Sequence, residues 1–262
     1  MENGMYLRCH ALVWHSQLAP WVEAKTDWTP EELRKVIVDH ITAVAGHYKG
    51  KCYAWDVVNE VLEEDGSYRN SVFYRVLGEE YIKLAFETTA LVDPGTKLYI
   101  NDYNLEWPHA KTEGTQRIVK WLKDEGVRID GVGLQAHLIT ESAPSIDDHI
   151  EAIRGFTKLG VEVALTELDI RLTMPATPEN LALQKEAYKN VSLCLSQPFR
   201  VRANSPRLSV PASRSAAASA SPSGTSMTPS AGFPPFSPAR APRCCGSRTF
   251  PSTPPTTAWS RL

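Results

Sequence analysis

Tyr53-Ala54-Trp55-Asp56-Val57-Val58-Asn59-Glu60 is a short run rich in β-branched and aromatic residues that ends in an amide and a carboxylate. At this length and composition it reads as a strand buried on both faces, the kind that parallel sheets contain. Val163-Ala164-Leu165-Thr166-Glu167-Leu168-Asp169 repeats the pattern 107 residues after Glu60, again closing an apolar run with a glutamate. Two buried strands that each deliver a carboxylate from the same end can set the pair on either side of one bond.

Working outward, strands are expected at 7–14, 53–58, 97–102, 131–136 and 162–167. Amphipathic stretches lie between them at about 30–48, 72–92, 110–126 and 146–158, and one follows the last strand at 179–195. Thr29-Pro30-Glu31-Glu32, Ser145 before Ile146-Asp147-Asp148, and Thr177-Pro178-Glu179 are helix starts, and Gly46, Asp93-Pro94-Gly95, Gly126 and Gly160 are stops. Five strand-helix units in a row predict an α/β fold with a parallel sheet, either open or closed into a barrel. The polar residues choose between these. Every expected strand ends in groups able to do chemistry: His10, Trp14 and His15 on the first, Asn59 and Glu60 on the second, Asn101-Asp102-Tyr103-Asn104 on the third, Gln135 and His137 on the fourth, Glu167 and Asp169 on the fifth. A (β/α)8 barrel gathers such ends on one face, whereas an open sheet spreads them along an edge.

Composition divides the chain. The whole has 262 residues and a net charge of −2, which argues against a polyanionic partner. Residues 1–200 carry 21 Lys and Arg against 30 Asp and Glu, whereas 201–262 hold seven Arg, no Lys and no acidic residue, with 13 Ser, 11 Pro and 10 Ala. Such a segment cannot share the packed domain, and it reads as a low-complexity, disordered tail. Its arginines lack Lys clusters or interleaved aromatics, so nucleic-acid binding is not expected. Five cysteines, Cys9, Cys52, Cys194 and the adjacent Cys244 and Cys245, fit neither a disulfide framework nor metal-ligand spacing and are read as incidental. Met1 to Leu7 shows no basic stretch followed by an apolar core, and no run approaches the length of a membrane span.

Five segments together resemble family 10 glycoside hydrolases, the endo-β-1,4-xylanases. They are Arg8-Cys9-His10-Ala11-Leu12-Val13-Trp14-His15-Ser16-Gln17, Trp55-Asp56-Val57-Val58-Asn59-Glu60, Asn101-Asp102-Tyr103-Asn104, Gly133-Leu134-Gln135-Ala136-His137-Leu138 and Thr166-Glu167-Leu168-Asp169. The resemblance covers nearly all of residues 5–198. It implies Glu60 as general acid/base and Glu167 as nucleophile of a retaining double displacement, so Glu60 has to arrive protonated and Glu167 ionised. Asn59 would hold the sugar 2-hydroxyl, and His137, backed by Asp169, would orient Glu167. His10, Trp14, Gln17 and Gln135 are implied on the glycone side, Tyr103 and Asn104 on the leaving-group side. No metal and no organic cofactor is implied. The substrate would be xylan, and the intact family form would be a secreted monomer that binds neither nucleic acid nor membrane. A non-catalytic xylan-binding or inhibitor-like barrel is the alternative, against which the intact Glu60, Glu167, Asn59 and His137 weigh.

The departures from the family pattern carry their own expectations. Residues 1–198 correspond to about five βα units, the third to the seventh of eight, without the first two strands and their Glu-Asn-x-Met-Lys-Trp segment. Cys9 stands where the family has glycine. From about residue 199 the tail replaces the eighth strand and a tryptophan loop; its codons, read one nucleotide earlier, permit Trp-Asp-Ile-Tyr-Asp-Pro-Phe-Ser-Trp from Gly224 onward, which suits an out-of-frame translation of 199–262. Such a chain is expected to be poorly soluble and weakly active as written.

Overall fold

A computed structural model describes residues 5–195, so the expectations for 199–262 lie outside the described residues. The strand quoted first is β3, with β1 and β2 before it: β1 spans Arg8–Cys9, β2 Val13–Trp14 and β3 Ala54–Asn59. Every β3 residue is buried, as a strand covered on both faces requires. β4 (Lys97–Asp102), β5 (Gly131–Leu134) and β7 (Glu162–Leu165) continue the sheet in the order β1-β3-β4-β5-β7, all neighbours parallel. β6 (His137–Ile139) and β8 (Asp169–Arg171) form a separate parallel pair beyond the ends of β5 and β7, with His137 opposite Asp169.

The expected strand at 7–14 is two short strands on the same edge of β3. Arg8 lies opposite Ala54 and Val13 opposite Val58, so five steps along one chain face four along the other. The extra residue interrupts the ladder as a bulge does, and Leu12 N–H bridges the gap by donating to the Asp56 carbonyl at 3.0 Å. The expected helix at 72–92 is also two, α3 (Val72–Leu77) and α4 (Glu80–Val92), because Gly78 turns the chain at φ 61°. α1 (Pro20–Ala24) is a five-residue helix that the periodicity did not signal.

The other helices start where the sequence placed them. In α2 (Pro30–His47) the Thr29 hydroxyl accepts from Glu32 N–H at 3.2 Å and the Glu32 carboxylate accepts from Thr29 N–H at 3.1 Å. α6 (Ile146–Lys158) has the same reciprocal cap between Ser145 and Asp148, while α5 (Ala110–Asp124) and α7 (Pro178–Leu195) complete the set. The main core joins β2 to β5 with the inner faces of α2 to α6, around Leu33, Ile41, Val57, Phe86, Leu98 and Phe156. A smaller cluster, Ala136, Leu138, Ile170, Ala187 and Val191, fastens β6 and β8 to α7.

Reading all five cysteines as incidental is corrected for two of them. Cys9 and Cys52 form a disulfide with Cα atoms 5.8 Å apart. Parallel pairing of β1 with β3, extended by Tyr53 N–H donating to the Leu7 carbonyl at 2.7 Å, brings together residues 43 apart in sequence. Cys194 is a buried free thiol.

Candidate active site

Glu60 follows β3 directly and sits in the left-handed region at φ 55°. Its N–H still donates to the Asn101 carbonyl at 2.9 Å, so the β3-β4 ladder holds its backbone while its side chain leaves the sheet. The Glu60 carboxylate accepts from Gln135 Nε2 at 3.2 Å and Asn59 Nδ2 at 3.3 Å, and its carbonyl accepts from Arg69 Nε at 2.9 Å.

Glu167 follows β7, with its N–H donating to the Gln135 carbonyl at 3.1 Å. Asn101 Nδ2 donates to Glu167 Oε1 at 3.0 Å and also to Asn59 Oδ1 at 3.0 Å, tying together the residues beside both carboxylates. Asn101 is itself fixed, its Oδ1 accepting from the Thr166 hydroxyl at 2.7 Å. A Cβ on Gly133 would collide with that Asn101 amide and with the Thr166 methyl, so β5 needs glycine where the network crosses it. Asn59, Asn101 and Gln135 are nearly inaccessible to solvent, so their hydrogen-bonding groups are committed to this arrangement.

His137 lies between two carboxylates: Nε2 is 3.2 Å from Glu167 Oε2 and Nδ1 is 3.0 Å from Asp169 Oδ1. Burial disfavours its charged form, but the hydrogen bonds to Asp169 and Glu167 outweigh this and raise its pKa above the usual 6.5. A protonated ring donates to both partners, which a neutral ring cannot do. On the opposite wall His10 Nδ1 is 3.1 Å from the buried Asp56, whose hydrogen bond raises the His10 pKa against burial. Asp56 also takes Arg8 at 2.5 Å.

The wall that carries Tyr103 and Asn104 is built on a buried cation. Lys111 is wholly buried, with Nζ 3.0 Å from Asp102 Oδ1, 3.0 Å from Glu64 Oε1 and 3.3 Å from the Tyr103 ring centroid. Burial lifts the Asp102 carboxyl to about 6, with Lys111 opposing. Tyr103 OH accepts from Arg69 at 3.0 Å, and Asn104 donates to Glu64 at 3.1 Å from the left-handed region, φ 59°.

A cavity of about 580 Å³ opens among these residues. Of the residues singled out from the sequence, His10, Trp14, Asn59, Glu60, Tyr103, Asn104, Gln135, His137 and Glu167 line it, and Asp169 stands behind His137. Gln17 does not: it is exposed and borders an adjoining cavity of about 710 Å³ that shares His10 and Trp14. Sequence reasoning passed over Arg171, which lines the site, and Arg69, and it quoted Asn101 as a strand-end residue without giving it a role, although both Arg69 and Asn101 hold the carboxylates' surroundings. Asn101 stood in a strand-end motif and was open to detection; Arg69 and Arg171 carried no local signal.

The family model for glycosyl hydrolase family 10 matches residues 1–203. Endo-1,4-beta-xylanase A of Humicola insolens is 80% identical over 190 residues, 72% of this chain and 50% of that protein. Endo-1,4-beta-xylanase A of Fusarium oxysporum f. sp. lycopersici is 52% identical over 197 residues, 72% of this chain and 60% of that protein. The GH10 xylanase from Bispora sp. MEY-1, solved with xylobiose, superposes with a TM-score of 0.71 at 40% identity, covering 74% of this chain and 60% of that one. Xylanase 10B from Thermotoga petrophila, also with xylobiose, gives 0.72 at 38% identity, with 76% and 61% covered. The chain thus spans half to three fifths of the length of these relatives. The sheet and its helices are part of the wall of a (β/α)8 barrel, and the chain belongs to glycosyl hydrolase family 10.

Proposed function

We propose that the chain carries the catalytic pair of a retaining endo-1,4-β-xylanase. The observation that supports this is the delivery of Glu60 and Glu167 from the ends of β3 and β7 to one cavity, with Asn59, Asn101 and Gln135 linking their surroundings. In this reading Glu60 protonates the leaving oxygen while Glu167 attacks the anomeric carbon, and Glu60 then activates the water that releases the product, a chemistry that requires carboxyls about 5–5.5 Å apart. Asn59 binds the sugar 2-hydroxyl. Asp169 fixes the ring of His137 so that its protonated Nε2 donates to Glu167 and orients it. His10, Trp14 and Gln135 form the glycone side, with Gln17 at its outer margin; Tyr103 and Asn104 form the leaving-group side. The substrate is β-1,4-xylan, and the relatives' xylan-degrading role suits a secreted monomer.

The test grafts residues 5–195 in place of the matching segment of the Humicola insolens enzyme, 80% identical over 190 residues, and measures reducing sugar released from xylan. The chimera is expected to be active and to give products of retained configuration. Glu167→Gln should lower kcat by roughly 10⁴-fold or more and Glu60→Gln by roughly 10²- to 10⁴-fold. An inactive chimera, or an active one indifferent to Glu167→Gln, defeats the reading; indifference is what a barrel that only binds would give.

A further inference from the structure

Glu106 is a carboxyl that the reaction as derived does not use. It follows β4, has no solvent exposure, and touches none of the cavity. Its Oε1 accepts from the Ala136 N–H at 2.8 Å, and its Oε2 is buried without a hydrogen-bond partner among the described residues. A half-satisfied buried carboxyl costs free energy, which a core position serving only packing would avoid with an apolar side chain.

What it grips is the bend between β5 and β6. Ala136 sits at φ 59°, where an alanine is strained and the chain leaves the sheet geometry. The neighbouring backbone groups are already used by strands: Gln135 N–H donates to the Asp102 carbonyl at 2.9 Å, Glu167 N–H to the Gln135 carbonyl at 3.1 Å, and Asp169 N–H to the Ala136 carbonyl at 3.2 Å. The Ala136 N–H turns away from these ladders and is taken by a side chain. On one side of it Gln135 reaches Glu60, and on the other His137 reaches Glu167, each at 3.2 Å. A rotation of this single bend therefore displaces both contacts at once.

We propose that Glu106 is a positioning residue: it clamps the Gln135-Ala136-His137 bend and so sets the placement of Glu60 and Glu167 together. The kinetic part of this inference rests on the xylanase reading; the structural part does not. The clamp needs reach and an acceptor oxygen rather than a charge. Burial, with the charge of Asp102 adding to it, pushes the Glu106 carboxyl up to about 7, so the bend can be held with the group neutral.

Two conservative variants of the full chain separate reach from charge. Glu106→Gln keeps length and acceptor but cannot ionise, whereas Glu106→Asp keeps the charge and is one methylene short. Three quantities are read at micromolar protein: amide exchange at Ala136 by mass spectrometry, the pH dependence of deuterium exchange at the His137 C2 position, and hydrolysis of p-nitrophenyl β-xylobioside. In Glu106→Asp, Ala136 protection should fall about tenfold and kcat about tenfold or more, with KM held within about twofold. The His137 midpoint should also move back toward 6.5. Glu106→Gln should keep Ala136 protected, leave the His137 midpoint in place and retain kcat within about threefold. The reverse pattern, in which Asp is tolerated and Gln is not, overturns the clamp in favour of charge. Equal loss in both with exchange raised throughout the chain, no change in either, or an unprotected Ala136 amide in the parent also overturns it. If the parent chain cleaves too little xyloside to measure, the kcat comparison is made in the Humicola chimera, where an inactive parent defeats the reading of the site, and the two exchange measurements still decide the role of Glu106.

Discussion

At the scale of single residues, the site turns on charges held by hydrogen bonds rather than by deep burial. His137 is the clearest case. Its side chain is 38% exposed, yet Asp169 and Glu167 raise its pKa above 6.5 despite the desolvation that opposes them. A histidine whose folded pKa exceeds its unfolded value adds stability that is fully present below the unfolded value, about 6.5, and is lost as pH rises through the folded one. The difference in denaturant midpoint between the parent chain and His137→Gln should therefore be largest below about pH 6.5 and shrink above it. A difference that grows with pH would mean that the ring is neutral in the folded state and that the ionic pairing with Glu167 is wrong. Lys111 shows the other strategy. With no exposure it must be neutralised on the spot, and Asp102, Glu64 and the face of Tyr103 do so, which leaves one cation fixing a side chain of the cavity wall.

At the scale of elements, what could be read from the sequence was whatever a short local pattern encodes. The apolar run from Tyr53 to Val58 announced β3, the Thr29 and Ser145 caps announced α2 and α6, and the polar residues closing each run announced which end of the sheet carries the cavity. What escaped depends on partners far along the chain. The extra residue between β1 and β2 is visible only against β3, and Arg69 reaches Glu60 and Tyr103 from a loop with no periodicity. The Cys9–Cys52 bridge escaped for the same reason: only the β1-β3 pairing brings the two together. Cross-linking residues 43 apart constrains the unfolded chain by about 4 kcal/mol in the chain-entropy model, with about 2–4 kcal/mol typical of measurement. Replacing both with serine, Cys9→Ser and Cys52→Ser, should lower unfolding stability by about 2–4 kcal/mol, and reducing the parent should reproduce the loss. A midpoint indifferent to both treatments would show that the bridge does not form in solution.

At the scale of the whole molecule, burial across the sheet is uneven. β3 and β5 are buried at every position, whereas all four residues of β7 are only half-buried, and among the described residues no strand pairs with its outer edge. β1, at the other end of the order, is half-buried too, beside exposed Met5, Tyr6 and Leu7. Leu181, Leu183, Tyr188 and Leu193 of α7 are also substantially exposed. Parallel sheets are ordinarily covered on both faces, and an open strand edge flanked by apolar side chains is a template for pairing with another chain. The 262-residue chain should therefore self-associate. Its sedimentation coefficient should rise with concentration over the micromolar range, and its xylan hydrolysis per site should fall well below that of the Humicola chimera, whose longer chain has more with which to cover those edges. Adding arginine or mild detergent should lower the association by covering the exposed apolar side chains. A monodisperse monomer with one sharp melting transition and chimera-like activity would refute this, and would place the cover for β1 and β7 within the 262 residues themselves.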